Sequence, residues 1–198
     1  MIPVINFLTY HQLEIYSWMS GALCVWLITR ENIWNWPIGM INNLVLGFVF
    51  YTSKLYGQFI LQLIFFLVSI YGWWYWSQVL SDRPKTPISR LSSSQWIAGI
   101  VIVGFAWWAI STGLRDWTDG RVPLLDGLIL ILGLVAQILM AQKKLENWWI
   151  WILFNILSAV SSVVRDLYIT PTLYMIFLGL CWSGLRLWTK SYREGPTL

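Results

Sequence analysis

Long apolar runs alternate with short polar turns along the 198-residue chain. A helix needs about 20 mostly apolar residues to cross a hydrocarbon core about 30 Å thick. The pattern predicts seven spans, at Leu13–Thr29, Pro37–Ser53, Leu55–Ser77, Gln95–Thr112, Pro123–Gln142, Asn147–Val164 and Ile169–Leu187. The turns are short except for residues 78–94, QVLSDRPKTPISRLSSS. Its two prolines, five serines and three basic residues mark a linker. An all-α integral membrane protein follows from the pattern alone.

The pattern also carries a repeat. At an offset of 112 residues Gly21 falls on Gly133, Asn35 on Asn147, Trp36 on Trp148 and Asn43 on Asn155, and the match resumes with Phe65 on Phe177, Gly72 on Gly184 and Trp76 on Trp188. Coincidence of rare residue types points to duplication rather than to shared apolar composition. Helices one to three match five to seven, and helix four links them. An offset of four spans is even, so matched helices cross in the same direction: two parallel three-helix bundles about an axis along the membrane normal, a SWEET-like 3+1+3 arrangement. The expected organisation is an N-terminus (1–12), a first repeat (13–77), a linker (78–94), helix four with its loop (95–122), a second repeat (123–188) and a tail (189–198).

Composition agrees with the pattern, with 58% hydrophobic and 11% charged residues. The charges sit between the spans, because Asp, Lys or Arg at a helix centre costs about 2.5–3.5 kcal/mol. Four Lys or Arg fall on the side of the N-terminus and nine on the other. The excess predicts an outside N-terminus and a cytoplasmic linker and tail. These cations are scattered singly rather than clustered, so nucleic acid is not an expected partner although the net charge is +4. Cys24 and Cys181 lie in separate runs and are expected to be free thiols. The first residues lack a basic n-region and a cleavage site, so no removable signal peptide is expected.

Catalytic groups are scarce. The single histidine, His11, precedes the first span, and all nine acids lie in loops or near span ends. No cofactor, metal site or enzymatic activity is expected, and the lack of deep ionisable groups favours facilitated passage over ion coupling. What the spans do offer is neutral polar and aromatic side chains. Asn43 and Asn155 lie about 10 Å below Trp36 and Trp148 at 1.5 Å per residue. There they either bond neighbouring helices or face a shared cavity. Trp148, Trp151 and Asn155 share one face by i, i+3, i+7 spacing. Trp149 turns away toward the interface. The matching face reads Trp36, Gly39, Asn43, so an indole on one wall opposes open space on the other. A stripe on helix three (Gln58, Gln62, Phe65, Ser69, Trp73, Trp76) and its mate on helix seven (Tyr174, Phe177, Cys181, Trp188) add the polar candidates Gln58, Gln62 and Tyr174, with Trp73 as a further ring.

The segment WPIGMINNLVLGFVFYTSKLYGQFILQLIFFLVSIYGWWYW (Trp36–Trp76), with the later WxxWxxxN of Trp148, Trp151 and Asn155, resembles the PnuC family of bacterial vitamin transporters over residues 13–190. The resemblance implies a SWEET-like fold and facilitated passage of nicotinamide riboside, made one-way by a cytoplasmic kinase. It also implies binding by Trp148, Trp151 and Asn155, and a homotrimer. On that expectation Trp151, helped by Trp148, stacks the ring, while Asn43, Asn155 and Gln62 bond amide or ribose groups. Thiamine is the alternative substrate, because it too carries a cationic aromatic ring that a Trp face attracts. Riboflavin and deoxynucleosides come next, and a ligand-binding membrane receptor or scaffold is the reading from another class.

Overall fold

The computed structural model describes residues 7–52, 56–78, 87–117, 122–164 and 170–195. Among these residues seven helices run α1 Phe7–Thr29, α2 Asn35–Thr52, α3 Tyr56–Ser77, α4 Ser93–Trp117, α5 Pro123–Ala141, α6 Asn147–Val164 and α7 Thr170–Glu194. The chain is an all-helical membrane protein. Stretches of four helices, Phe59–Ser77, Ser93–Gly113, Pro123–Ala141 and Asn147–Val164, have the length and apolarity to cross a bilayer. Two ends differ from the span pattern. α1 begins at Phe7, within the segment expected to precede the spans, and α7 continues to Glu194, so most of the expected tail is helical. Polar residues lengthen a helix readily once it has left the hydrocarbon, and hydropathy registers only the buried part.

The packing closes a ring. α1 packs on α2 and α7, α3 on α2 and α5, and α5 on α6, which packs on α7. Each contact has a mate at the offset of 112: α1·α2 with α5·α6, α2·α3 with α6·α7, and α1·α7 with α5·α3. Six helices therefore surround one pseudo-twofold axis. α4 stands outside the ring against α5, fixed by Trp107 Nε1 donating to the Leu124 carbonyl at 2.9 Å. Ile97, Ile100, Val101, Phe105 and Trp108 on its outer face are exposed, as are Trp34, Trp149 and Trp182 elsewhere. These apolar surfaces suit lipid.

One end of the ring holds the α1–α2 and α5–α6 turns and residues 87–92; we call it the linker end. Ser89 bridges the α5–α6 turn, its N–H donating to the Lys143 carbonyl (3.0 Å) and its carbonyl accepting from Leu145 N–H (2.9 Å). Glu146 accepts the Leu91 N–H at 3.2 Å, and Ile88 is buried in the core. Residues 87–92 of the linker are thus a strap tied to the second repeat.

Candidate functional site

The best-packed tryptophans lie at the linker end. Trp36 and Trp148 begin α2 and α6, and each indole lies over a glycine of the following helix, Gly72 and Gly184. A Cβ at either glycine would overlap the ring. Trp76 and Trp188, one turn further on, meet those indoles edge to face: 5.4 Å and 86° for Trp36–Trp76, 5.4 Å and 90° for Trp148–Trp188. Trp76 and Trp188 meet each other at 6.2 Å, completing a four-indole chain across the axis. Trp76 Nε1 donates to the Ala141 carbonyl and Trp188 Nε1 to that of Ile28, each at 3.0 Å and each from one repeat to the other.

Beneath these indoles is a cavity of about 250 Å³ between the repeats, near the small end of the usual range for ligand pockets. Its wall is built from matched positions: Trp36 and Trp148, Asn43 and Asn155, Phe65 and Phe177, Ser69 and Cys181. Gly21 and Gly133 make room for those phenylalanines, a Cβ at 21 standing 3.6 Å from Phe177 and one at 133 standing 3.7 Å from Phe65.

The lining is lopsided where the repeats diverge. Gly39 faces the cavity where Trp151 does in the other half, Asn42 where Phe154 does, and Val25 where Gln137 does. Trp151 stands edge to face on Phe154 at 5.2 Å and 84°. One wall is therefore aromatic and the opposite wall small and polar. No Asp, Glu, Lys, Arg or His is among the described lining residues.

Hydrogen bonds show which polar atoms remain for a ligand. Asn155 Nδ2 donates to the Trp151 carbonyl at 2.8 Å and contacts Cys181 Sγ at 3.8 Å, which fixes the amide and leaves Oδ1 without a described donor. Asn43 Nδ2 reaches Ser69 Oγ at 3.5 Å in the same register. Asn42 Oδ1 accepts from Ser20 Oγ at 3.1 Å, which leaves its amide N–H groups. Trp36 Nε1 and Trp148 Nε1 are buried with no acceptor among the described residues. An orphaned buried donor costs about 1–3 kcal/mol, which a ligand acceptor reaching either indole would relieve; Gln62 Oε1, Ser111 Oγ and Asn147 Oδ1 are orphaned likewise outside the lining.

Of the residues singled out in the sequence, the structure brings Trp148, Trp151, Asn155, Asn43 and Tyr174 to this cavity. Two do not join them. Gln62 is buried but turns toward α2, where its Cβ stands 3.7 Å from the position a Cβ on Gly47 would take. Trp73 is 46% exposed on the outer surface. It follows Gly72, which faces Trp36, and a one-residue step on a helix turns the side chain about 100° away. Gln58 belongs to α3, but its side chain lies outside the described residues. Asn42, Gln137 and Phe154 line the cavity without having been singled out. Their signal lay in the offset itself, since Asn42 and Gln137 are polar where the other repeat carries Phe154 and Val25.

Ring, axis and cavity define a multi-pass membrane transporter built from two parallel repeats. Residues 11–190 match the nicotinamide mononucleotide transporter family, and the chain belongs to it. It is 28% identical to the nicotinamide riboside transporter PnuC of Escherichia coli K12, over 92% of this chain and 87% of that protein. It is 29% identical to the PnuC of Neisseria mucosa, over 87% and 70%. The riboflavin/roseoflavin transporter RibM of Streptomyces davaonensis is 25% identical over 95% and 92%. The crystal structure of the vitamin B3 transporter PnuC superposes with a TM-score of 0.73 at 25% identity, covering 92% of this chain and 83% of that one.

Proposed function

We propose that the chain carries nicotinamide riboside across the inner membrane by facilitated diffusion, with the linker end facing the cytoplasm. The observation that carries this is an aromatic cavity with no charged side chain among its described lining residues. A phosphate taken out of water needs cations or a helix N-terminus to receive it. The riboside, whose one charge is spread over a pyridinium ring, needs only π faces. A Trp face attracts such a ring by about 0.5–2 kcal/mol. With no cation among the described lining residues, the riboside fits better than its phosphorylated form.

In this reading Trp151 stacks the ring, with Trp148 closing the linker side. Asn155, Asn43 and Tyr174 bond the carboxamide and ribose, and the orphaned indole N–H groups receive ligand oxygens. Asn42 adds an amide to the small, polar wall, and Gln137 adds one beside the aromatic wall. The repeats rock about the axis to expose the cavity to each side in turn, and phosphorylation by a cytoplasmic kinase keeps the product inside. With no carboxylate among the described lining residues to bind a proton or sodium ion, no coupling ion is expected.

The competing reading within the family is thiamine, which also has a cationic ring. The test is a counterflow panel in proteoliposomes with nicotinamide riboside, its 5′-phosphate, thiamine, riboflavin and deoxynucleosides as competitors. The riboside should compete best and the 5′-phosphate not at all. Stronger competition by thiamine or by the phosphate would replace the assignment. Saturable binding without exchange would make the chain a receptor.

A further inference from the structure

Residues 31 and 143 are mates at the offset of 112, and they meet. Glu31 in the α1–α2 turn and Lys143 in the α5–α6 turn each have φ of 52°, the same left-handed bend at the same place in each repeat. Ring closure brings the two turns together across the axis, where Lys143 Nζ lies 2.9 Å from Glu31 Oε2. The Lys143 side chain is 5% exposed and that of Glu31 28%. Lys143 Nζ also stands 4.7 Å over the Trp76 ring, and Glu31 Oε1 accepts from Ser191 Oγ at 3.0 Å. Glu146, the acid nearest in sequence to Lys143, accepts instead from the linker N–H of Leu91. Glu31 is thus the carboxylate that balances the buried ammonium.

We infer that the Glu31–Lys143 pair is the latch of a gate at the linker end, with the four-indole chain as its plug; this rests on the transport reading above. The pair joins the repeats directly above the cavity's roof, where Trp76–Ala141 and Trp188–Ile28 also cross from one repeat to the other. Parting the repeats there breaks all of these together, and a buried ammonium that loses its counter-ion must be hydrated or repaired. The contact therefore makes closure two-state rather than gradual. The halves are also unequal. The linker strap holds the Lys143 backbone through Ser89, whereas Glu31 is held from the second repeat by Lys143 and Ser191. The α1–α2 turn with its Glu31 is the moving jaw, and the strapped α5–α6 turn is the fixed one.

The two cysteines of the chain, Cys24 and Cys181, are free and line the cavity, so they report on the gate without any substrate. The experiment measures their modification by a membrane-impermeant quaternary-ammonium methanethiosulfonate, in vesicles of each orientation. The full-length protein is compared with Glu31→Gln, Lys143→Gln and the swap Glu31→Lys/Lys143→Glu. Glu31→Gln keeps shape and the capacity to meet Ser191, so it guards against a misfolded Lys143 variant. Each single variant should raise labelling from the linker side by about 5- to 100-fold, the range of a coupling between sites. Labelling from the other side should not rise, and the swap should return the rate toward wild type. Unchanged labelling in Glu31→Gln, an equal rise from both sides, or a swap no slower than the singles would overturn the latch. Counterflow that fails with every vitamin while labelling follows this pattern would remove the transport assignment and leave the gate standing.

Discussion

Gly184→Ala adds one methyl group to a place where the structure has no room for it. The new Cβ would fall among Cη2, Cζ2 and Cζ3 of Trp148. The indole cannot slide sideways, since Trp188 meets it edge to face at 5.4 Å and it is only 1% exposed. Its one exit is toward the cavity it lines. Overpacking of this kind costs about 1–3 kcal/mol, offset by about 0.5–1 kcal/mol from replacing a mid-helix glycine with alanine. The net spans about 0–2.5 kcal/mol, and overlap with three ring atoms places this case in the upper part, about 1–2 kcal/mol, a 5- to 30-fold change in an equilibrium constant. Thermal unfolding in detergent should therefore move down by several degrees, and titration calorimetry should show riboside affinity falling by a similar 5- to 30-fold as the ring invades its site. Gly179→Ala is the control, because a Cβ there meets nothing within 4 Å; it should leave both readouts unchanged or slightly improved. If Gly184→Ala melts with the wild type and binds as tightly, the indole is not wedged as described and the roof of the cavity is misassigned.

Gly39→Trp would put an indole opposite Trp151 in a cavity of about 250 Å³; it should abolish binding in calorimetry while the protein still elutes as a folded species, since only Cys24 Sγ, at 3.9 Å, is near the new Cβ. Trp151→Ala should weaken the cationic riboside by about 2- to 30-fold, the range of a lost cation–π contact, and a neutral dihydro analogue by less; equal losses would show that stacking area rather than charge is read. Trp188→Phe removes the N–H that reaches the Ile28 carbonyl at 3.0 Å and should lower stability by about 0.5–1.5 kcal/mol in denaturant unfolding, with Trp76→Phe close behind. Because the described lining includes no acid, base or histidine, counterflow should stay flat between about pH 6 and 8; a clear titration in that window would mean that a charged group outside the described lining controls the site.

Spans and repeat were legible because bilayer thickness and duplication each impress a period on the chain, and periods survive without knowledge of neighbours. The α2 and α6 faces were legible for a related reason: Trp148, Trp151 and Asn155 are tied by helix geometry alone. Helix three was harder to read. Its stripe placed Gln62 and Trp73 together, but a stripe does not say whether it meets a sister helix or the axis, and Gln62 turned out to face α2. The latch was least legible of all. Glu31 and Lys143 read as ordinary loop charges of opposite sign until ring closure brings their turns together across the axis.

The account stands or falls on passage through the cavity without an energising ion. The direct measurement is counterflow of labelled nicotinamide riboside in proteoliposomes holding the unlabelled compound, with and without ionophores that collapse the proton and sodium gradients. Saturable exchange at an unchanged rate, ending with equal concentrations on both sides, is the predicted result. Accumulation of unmodified riboside above the outside concentration, abolished by an ionophore, would contradict it.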